Sequence, residues 1–404
     1  MTVGVFSSNQ MTQDLAAKSF AGMITRLMPN GAAPLFGMTS MMKSETAKQT
    51  EHGFFTKTMV FPQLVVSAAG ATAGDTILTV TSTANVLPGQ VFRVDATPFE
   101  NLIVNAVLSP TSVAVQRGIG TSAAGAIAGN TNLYMIGNAY EEASLRPNAL
   151  NINAVRITNF TQIFRNTWAI SETVRATQVI AGDTNIAESK SECAAFHAAD
   201  IEKALFFGQK YFSVRNNQPF HTMDGLLNII TQQAPGNVTT LGSTTNWTQL
   251  ETALDVVFNV TANPQVANER AVFLGGRALS VINTICRLNG NYQLMDGQTS
   301  YGLQFRTLKS TRGQFRLIEH PLFNAYGPNS SWARMAVVVD LPTFGLAYLN
   351  GRQTQNKEFN MAGEVAQDNG IDAVGGTLTS ELTCLVKNPS ADAVLYNFTA
   401  GAVG

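Results

Sequence analysis

Charge is scarce in this chain. Of its 404 residues only 13% are Asp, Glu, Lys or Arg, about half the roughly 25% of an average soluble protein, while apolar types reach 45%. A surface so short of charge is expected to meet protein over much of its area. The 26 basic and 27 acidic residues leave a formal net charge of −1, so the total charge singles out neither nucleic acid nor an anionic membrane as a dedicated partner. Cysteine is also sparse. Cys193, Cys286 and Cys384 stand far apart with no CxxC pair, which argues against a disulfide framework or a zinc knuckle and for buried thiols in a reducing compartment. No apolar run approaches the ~18 residues of a membrane helix. The opening MTVGVFSSNQMTQDLAAKSF has no basic start followed by an apolar stretch. The cytosol is the expected place of synthesis, with no membrane partner.

The motifs of the commonest enzymes are missing too. No P-loop, GxSxG elbow, HExxH helix or GxGxxG fingerprint occurs, and His52, His197, His221 and His320 are scattered singly, so no metal site or cofactor is implied. Gly275-Gly276 could offer backbone amides to a phosphate, but tight packing is the preferred reading. His221 and Asp224 lie close enough in FHTMDG to form an acid–base pair. They are the one hydrolase candidate, set against a plain turn at Gly225. His197 is read as a helix-flank residue.

What the chain does have is order of a particular kind. Residues 1–50 are rich in Ser, Thr, Met and Ala and read as an N-terminal arm with short helical pieces at best, such as Gln13 to Met28. FFTKTMVFPQL then turns β-like. Between 66 and 138 the runs TILTVTS, QVFRV, NLIVNAVL, SVAVQRG and NLYMIGN recur every dozen or so residues, separated by turn residues at Gly74-Asp75, Pro88-Gly89, Ser109-Pro110 and Gly129-Asn130. This is the signature of a small all-β module. Strand character resumes at RITNFTQIFRNTWAIS, Arg156 to Ser171, with Phe160 and Phe164 on one face. A strand on either side of the module suggests one long hairpin, which cannot bury itself and must lie on another surface. Along it, Lys57, Glu141, Glu142, Arg146, Arg156 and Arg165 offer charges that could set register with a neighbouring chain.

A capping-box pair, Asn185 and Glu188, opens the clearest helix signal, which runs to a stop at Gly208. Cys193, Phe196, Ile201, Ala204 and Leu205 make its apolar face and Glu188, Lys190, Glu192, Glu202 and Lys203 its polar cover. Further on the pattern predicts a helix from Trp247 to Val260, a strand Ala271 to Leu274, a helix Arg277 to Leu288, and then strands, among them a hairpin FGLAYLNGRQTQ turning on Asn350-Gly351. The fold class is α+β without βαβ repetition.

The order arm, long hairpin, long capped helix, α/β region, terminal strands resembles the tailed-phage major capsid proteins of the Hong Kong 97-like fold, over nearly the whole chain. Ile136-Gly137-Asn138-Ala139, Glu141-Glu142, Pro147-Asn148 and Thr161-Gln162-Ile163-Phe164-Arg165 match a subgroup with a β-domain inserted in the extended E-loop. The resemblance implies the following organisation: an N-arm, 1–50; an E-loop hairpin, 51–67 and 139–180; an inserted β-domain, 68–138; a peripheral domain, 181–225 and 345–404, with a spine helix over 186–207; and an axial domain, 226–344. It further implies a non-enzymatic shell subunit that binds copies of itself in hexamers and pentamers of an icosahedral head around double-stranded DNA, touched non-specifically on the inner face. A separate scaffolding protein, a portal and a cement protein are the other partners it implies. Candidate inter-subunit contacts are Lys57, Glu141, Glu142, Arg146, Arg156, Phe160, Phe164 and Arg165. The lysine–asparagine cross-link of some relatives is not carried over, because no motif marks a partner for Lys57. The rival readings are a tail or surface-layer protein and, last, the hydrolase.

Overall fold

Fourteen residues, AVGGTLTSELTCLV, form the longest strand, Ala373–Val386. It is the axis of one of the two large sheets in the larger of two compact units, Met1–Phe54 with Ile157–Gly404; the smaller unit is Phe55–Arg156. A computed structural model describes residues 33–40, 42–57, 61–97, 99–151, 153–176, 186–242, 246–259, 268–288, 295–300, 303–359 and 372–399. The expected helical pieces in 13–28 and the N-cap Asn185 lie outside the described residues.

One edge of Ala373–Val386 pairs antiparallel with Gln162–Ser171, from Gln162 opposite Leu382 to Ser171 opposite Ala373. The other edge is shared end to end by Phe344–Leu349, opposite 382–386, and Gln355–Phe359, opposite 375–379. The expected hairpin on Asn350-Gly351 is therefore corrected. Gly351 does turn the chain with a positive φ of 73°, but the strands before and after it lie in line along one partner instead of pairing with each other.

The strand read as Arg156 to Ser171 is two strands. Val155–Phe160 pairs with Glu51–Thr56 in a two-stranded sheet, and Gln162–Ser171 joins the sheet of Ala373–Val386. The switch falls at buried Thr161, whose N–H donates to Thr50 O at 2.8 Å and whose hydroxyl donates to Glu381 Oε1 at 2.9 Å.

The second sheet has seven strands in the order Val238–Thr240, Ala393–Tyr396, Ala336–Val339, Glu269–Leu274, Gln314–Glu319, Leu303–Lys309, Met295–Ser300. Side chains alternate across a strand, and here both faces are covered. Phe273, Val337, Val339 and Val394 point into a core shared with the long helix. Val272, Leu274, Val338 and Leu395 point into a second core under helices Trp247–Asp255 and Gly276–Leu288. The near-continuous apolar runs AVVV and ERAVFL follow from that double burial. Between Glu269–Leu274 and Gly276–Leu288 a Cβ on Gly275 would overlap the Ala333 backbone, and Asn324 Oδ1 accepts the Gly276 N–H at 2.7 Å. The glycine pair serves packing, and its amide is already occupied.

The helix spans Ile186–Phe207. Cys193, His197, Ile201 and Leu205, four apart, form its buried stripe. Two expectations are corrected here. Phe196 is half exposed, and Glu202, assigned to the polar cover, is 0% exposed.

In the smaller unit the six strands Gln63–Val65, Asn132–Asn138, Gln90–Val94, Asn101–Ser109, Ser112–Gln116 and Ile77–Thr79 pair in that order. The first and last also meet, through the bridge Val66 to Val80 and the bonds Ser67 N to Thr79 O and Thr81 N to Val65 O, 2.8 and 2.9 Å. The sheet thus closes into a small barrel. It is filled by Leu64, Leu78, Phe92, Leu102, Val113 and Leu133 among others.

Candidate subunit-contact site

Where a strand leaves the body it must be gripped, or it frays. Asn159 supplies the grip. It is buried, donates from Nδ2 to Asp224 O (3.0 Å) and Cys384 O (3.1 Å), and accepts at Oδ1 the N–H of Asp224 (2.7 Å) and Phe160 (2.8 Å). Beside it, Lys210 Nζ donates to Thr158 O and Oγ1 at 3.0 and 2.8 Å and sits 4.7 Å from the centre of the Phe160 ring. Phe160 itself is half-buried, edge-on to His221 at 5.3 Å and tilted against Phe212 at 6.5 Å.

The residues expected at subunit contacts divide accordingly. Arg165 is exposed, while Phe164 is buried in its own chain against His197, so it belongs to the core and is dropped from the contact set. In the smaller unit Lys57, Glu141, Glu142, Arg146 and Arg156 are all exposed. Every described residue from Asn138 to Arg156 is exposed, Leu145 to 92%. So long an uncovered stretch, carrying Leu145, Leu150 and Val155, is chain that finds no cover within its own unit.

His221 and Asp224 do not form an acid–base pair. His221 lies in the hairpin Tyr211–Arg215, Gln218–Thr222, packed against Phe160 and Phe212. Asp224 Oδ1 accepts the Asn228 amide at 2.5 Å and the Lys210 N–H at 3.3 Å. Burial raises the Asp224 carboxyl above its ordinary range, and these donors offset only part of that. No hydrogen bond joins the two side chains among the described residues.

His197 is also not a flank residue. It bridges Asn166 Oδ1 at 2.6 Å and Ser380 Oγ at 2.7 Å beneath the helix, and burial lowers its basicity against a smaller opposing effect of Asp200. The three thiols are buried and free, with Cys286 pushed up to about 11 and Cys384 to about 12 by desolvation. No group of three His, Cys, Asp or Glu able to hold a metal occurs among the described residues.

The hairpin Tyr211–Thr222 escaped the sequence reading. Its signal was Asn216-Asn217, both left-handed at φ 51° and 59°, a two-residue turn of the kind that joins antiparallel strands.

These features define a structural protein whose working parts are surfaces. A family model described as SU10 major capsid protein matches residues 6–399. A "Major capsid protein" of Pseudomonas phage PaMx41 is 39% identical over 403 residues, covering 97% of this chain and 95% of that protein. Among solved structures, chains of Mycobacterium phage Bobi and Mycobacterium phage Adephagia give a TM-score of 0.46 each at 12% and 10% identity; they cover 97% and 99% of this chain and 99% and 95% of their own. The chain belongs to the SU10 major capsid protein family. Its function is that of a phage capsid subunit, a component of the virion that assembles with copies of itself and is not an enzyme.

Proposed function

We propose that this subunit builds hexamers and pentamers of an icosahedral head around double-stranded DNA, in the Hong Kong 97-like manner, and that it assembles in the host cytoplasm. A separate scaffolding protein, a portal and a cement protein complete the proposed set of partners. The expected bounds shift with the strands: residues 51–62 and 139–160 act as the E-loop and 63–138 as its inserted β-domain, because Gln63–Val65 is already a strand of the barrel; Gln162–Ser171 joins 181–225 and 345–386 in the peripheral domain, and Ala393–Tyr396 joins 226–344 in the axial domain. DNA meets the inner face through non-specific contacts only, in keeping with the balanced charge.

The observation that carries the reading is the uncovered stretch Asn138 to Arg156. A chain that leaves Leu145 92% exposed has apolar surface to cover, and in a shell a neighbouring copy covers it. Lys57, Glu141, Glu142, Arg146, Arg156, Phe160 and Arg165 are the proposed contact residues. Exposed ion pairs contribute about 0–1 kcal/mol each, so the charges set register and the apolar side chains supply most of the adhesion.

Negative-stain electron microscopy of the purified chain, with size-exclusion chromatography at low and moderate salt, tests this. Closed shells or capsomer rings are expected. A monodisperse monomer under every condition, scaffolding partner included, would sink the reading, and tubes or flat sheets would favour a tail or surface-layer architecture.

A further inference from the structure

The hairpin Tyr211–Arg215, Gln218–Thr222 has one guarded edge and one open edge. Arg215 and Gln218 flank the two-residue turn and so exchange hydrogen bonds with each other, as do Ser213 and Phe220. The alternate pairs, Val214 with Pro219 and Phe212 with His221, are the non-bonded ones, and their backbone groups point outward. On the second strand the outward position nearest the turn is Pro219, which has no N–H and so blunts that edge. On the first strand both outward positions, Phe212 and Val214, keep N–H and C=O, and no hydrogen bond to either is found among the described residues. The side chains around this edge are apolar and uncovered, Tyr211 56%, Phe212 54% and Val214 61% exposed. Two strands alone are marginally stable, and this pair shows an unpaired template to solvent.

We propose that the strand Tyr211–Arg215 pairs antiparallel with the same strand of a second copy about a two-fold axis through Ser213, making a four-stranded sheet across a subunit boundary. The strand is self-complementary in that register. Phe212 falls opposite Val214 of the second copy and Val214 opposite its Phe212, so the four outward N–H groups and carbonyls of the two copies form four hydrogen bonds. Arg215, the only Asp, Glu, Lys or Arg in the hairpin, falls opposite Tyr211 of the second copy. No like charges meet, and the guanidinium can cover the ring. A contact of this kind is isologous, the commonest type between identical subunits.

Size fixes where it operates. Large side chains hide about 150–250 Å² each when buried, so the exposed parts of Tyr211, Phe212, Val214 and Phe220 amount to on the order of 400 Å². That is about half of the ~800 Å² per partner of a stable stand-alone interface. The pairing is therefore one element of a larger shell interface and rests on the shell reading.

The test is a cysteine at the proposed axis in the full chain. Directly opposed residues in a non-bonded antiparallel pair have Cα atoms about 4.5 Å apart, within disulfide reach. Assembled shells of Ser213→Cys, mildly oxidised, are expected to run mostly as a reducible dimer on a denaturing gel, whereas Asn217→Cys, in the turn, stays monomeric. Val214→Pro removes an outward N–H without touching a bond inside the hairpin, and at least a tenfold loss of shell yield is expected with the circular dichroism of the subunit retained. Well-formed Ser213→Cys shells that remain monomeric after oxidation would overturn the pairing and leave the shell reading intact. So would folded Val214→Pro that assembles at the wild-type yield; if that variant unfolds, the cysteine result decides. A wild-type chain that never forms a shell would remove the shell reading and the pairing together.

Discussion

Glu202 is a carboxylate with no exposed surface, and its three partners explain how it is tolerated there. Leu35 and Phe36 donate their backbone N–H groups to Oε1 and Oε2 at 2.9 and 2.7 Å, and His320 Nε2 lies 2.7 Å from Oε1. The donors from Leu35 and Phe36 are first-turn groups of the short helix Pro34–Ser40, which have no partner inside a helix. One side chain of the long helix thus ties down the segment at residue 34 and the loop at residue 320. Glu202→Ala leaves all three groups buried and unpaired, and a loss of about 3–5 kcal/mol is expected, read as a lower urea midpoint; Glu202→Gln, which keeps one acceptor oxygen, should lose less. Asp392, only 1% exposed, is a second buried acid. Burial, reinforced by the charge of Asp340, raises its carboxyl well above the ordinary range, although its Oδ1 accepts the Asp340 N–H at 2.7 Å and Arg270 is near. The folded chain therefore holds a proton that the unfolded chain releases near pH 4, and this group's contribution to stability declines as pH rises from there through the folded value. Asp392→Asn keeps the Oδ1 acceptor and removes that decline, so its stability relative to wild type should improve between pH 4 and 7 in parallel urea titrations.

At the scale of elements the decisive event is the change of partner at Thr161. Up to Phe160 the chain pairs with Glu51–Thr56, and from Gln162 it pairs with Ala373–Val386. Asn159 fixes the crossing by bonding Asp224 and Cys384 at once. Asn159→Ala should cost about 3 kcal/mol, since it strands buried backbone groups at about 1–3 kcal/mol each; amide exchange should quicken first in Val155–Phe160 and in the turn at Asp224. Uniform loss of protection across the unit would contradict that local role. Little of this crossing was legible beforehand. The alternation through RITNFTQIFR reads as one strand, because a change of partner leaves the side-chain period intact. The same blindness produced the expected hairpin FGLAYLNGRQTQ. Its turn residues are real, but the competing partner, Ala373–Val386, lies more than twenty residues further on, and periodicity carries no information about partners. Glu202 and His197 were misplaced for a related reason. A polar residue on a helix counts as solvent-facing until the donors that satisfy it are known, and those come from residues 35, 36, 166, 320 and 380. What could be read was local: the helix from Ile186, the inward Leu250, Leu254, Val257 and Phe258, and the β runs from 76 to 138, whose bounds follow their β-branched residues and turns.

For the whole molecule, the barrel poses a question of dependence. Its strands close on themselves through Val66 and Val80, its core is drawn from residues 64–133, and the buried Glu100 is held by Arg117 at 2.6 and 2.7 Å with further bonds from the Gly118 and Gly125 N–H groups. Burial alone would raise the Glu100 carboxyl, yet these donors hold it below its ordinary range, so charge and core are both satisfied inside the unit. A closed barrel presents no strand edge for pairing, which removes the cheapest way of joining a neighbour. Val65 and Asn132 stand directly opposite one another in adjacent strands, so residues 66–131 can be replaced by a two-residue Asn-Gly turn without separating the flanking chain. Leu64 and Leu133, which lose their core, would be changed to Thr. If the barrel is an outward addition, the shortened chain should still close into shells of wild-type diameter by electron microscopy, with lower thermal stability at most. If it forms soluble capsomers that never close, the outer side chains of the deleted segment hold the shell together, and the exposed Ile77, Phe99 and Leu108 become the first to substitute.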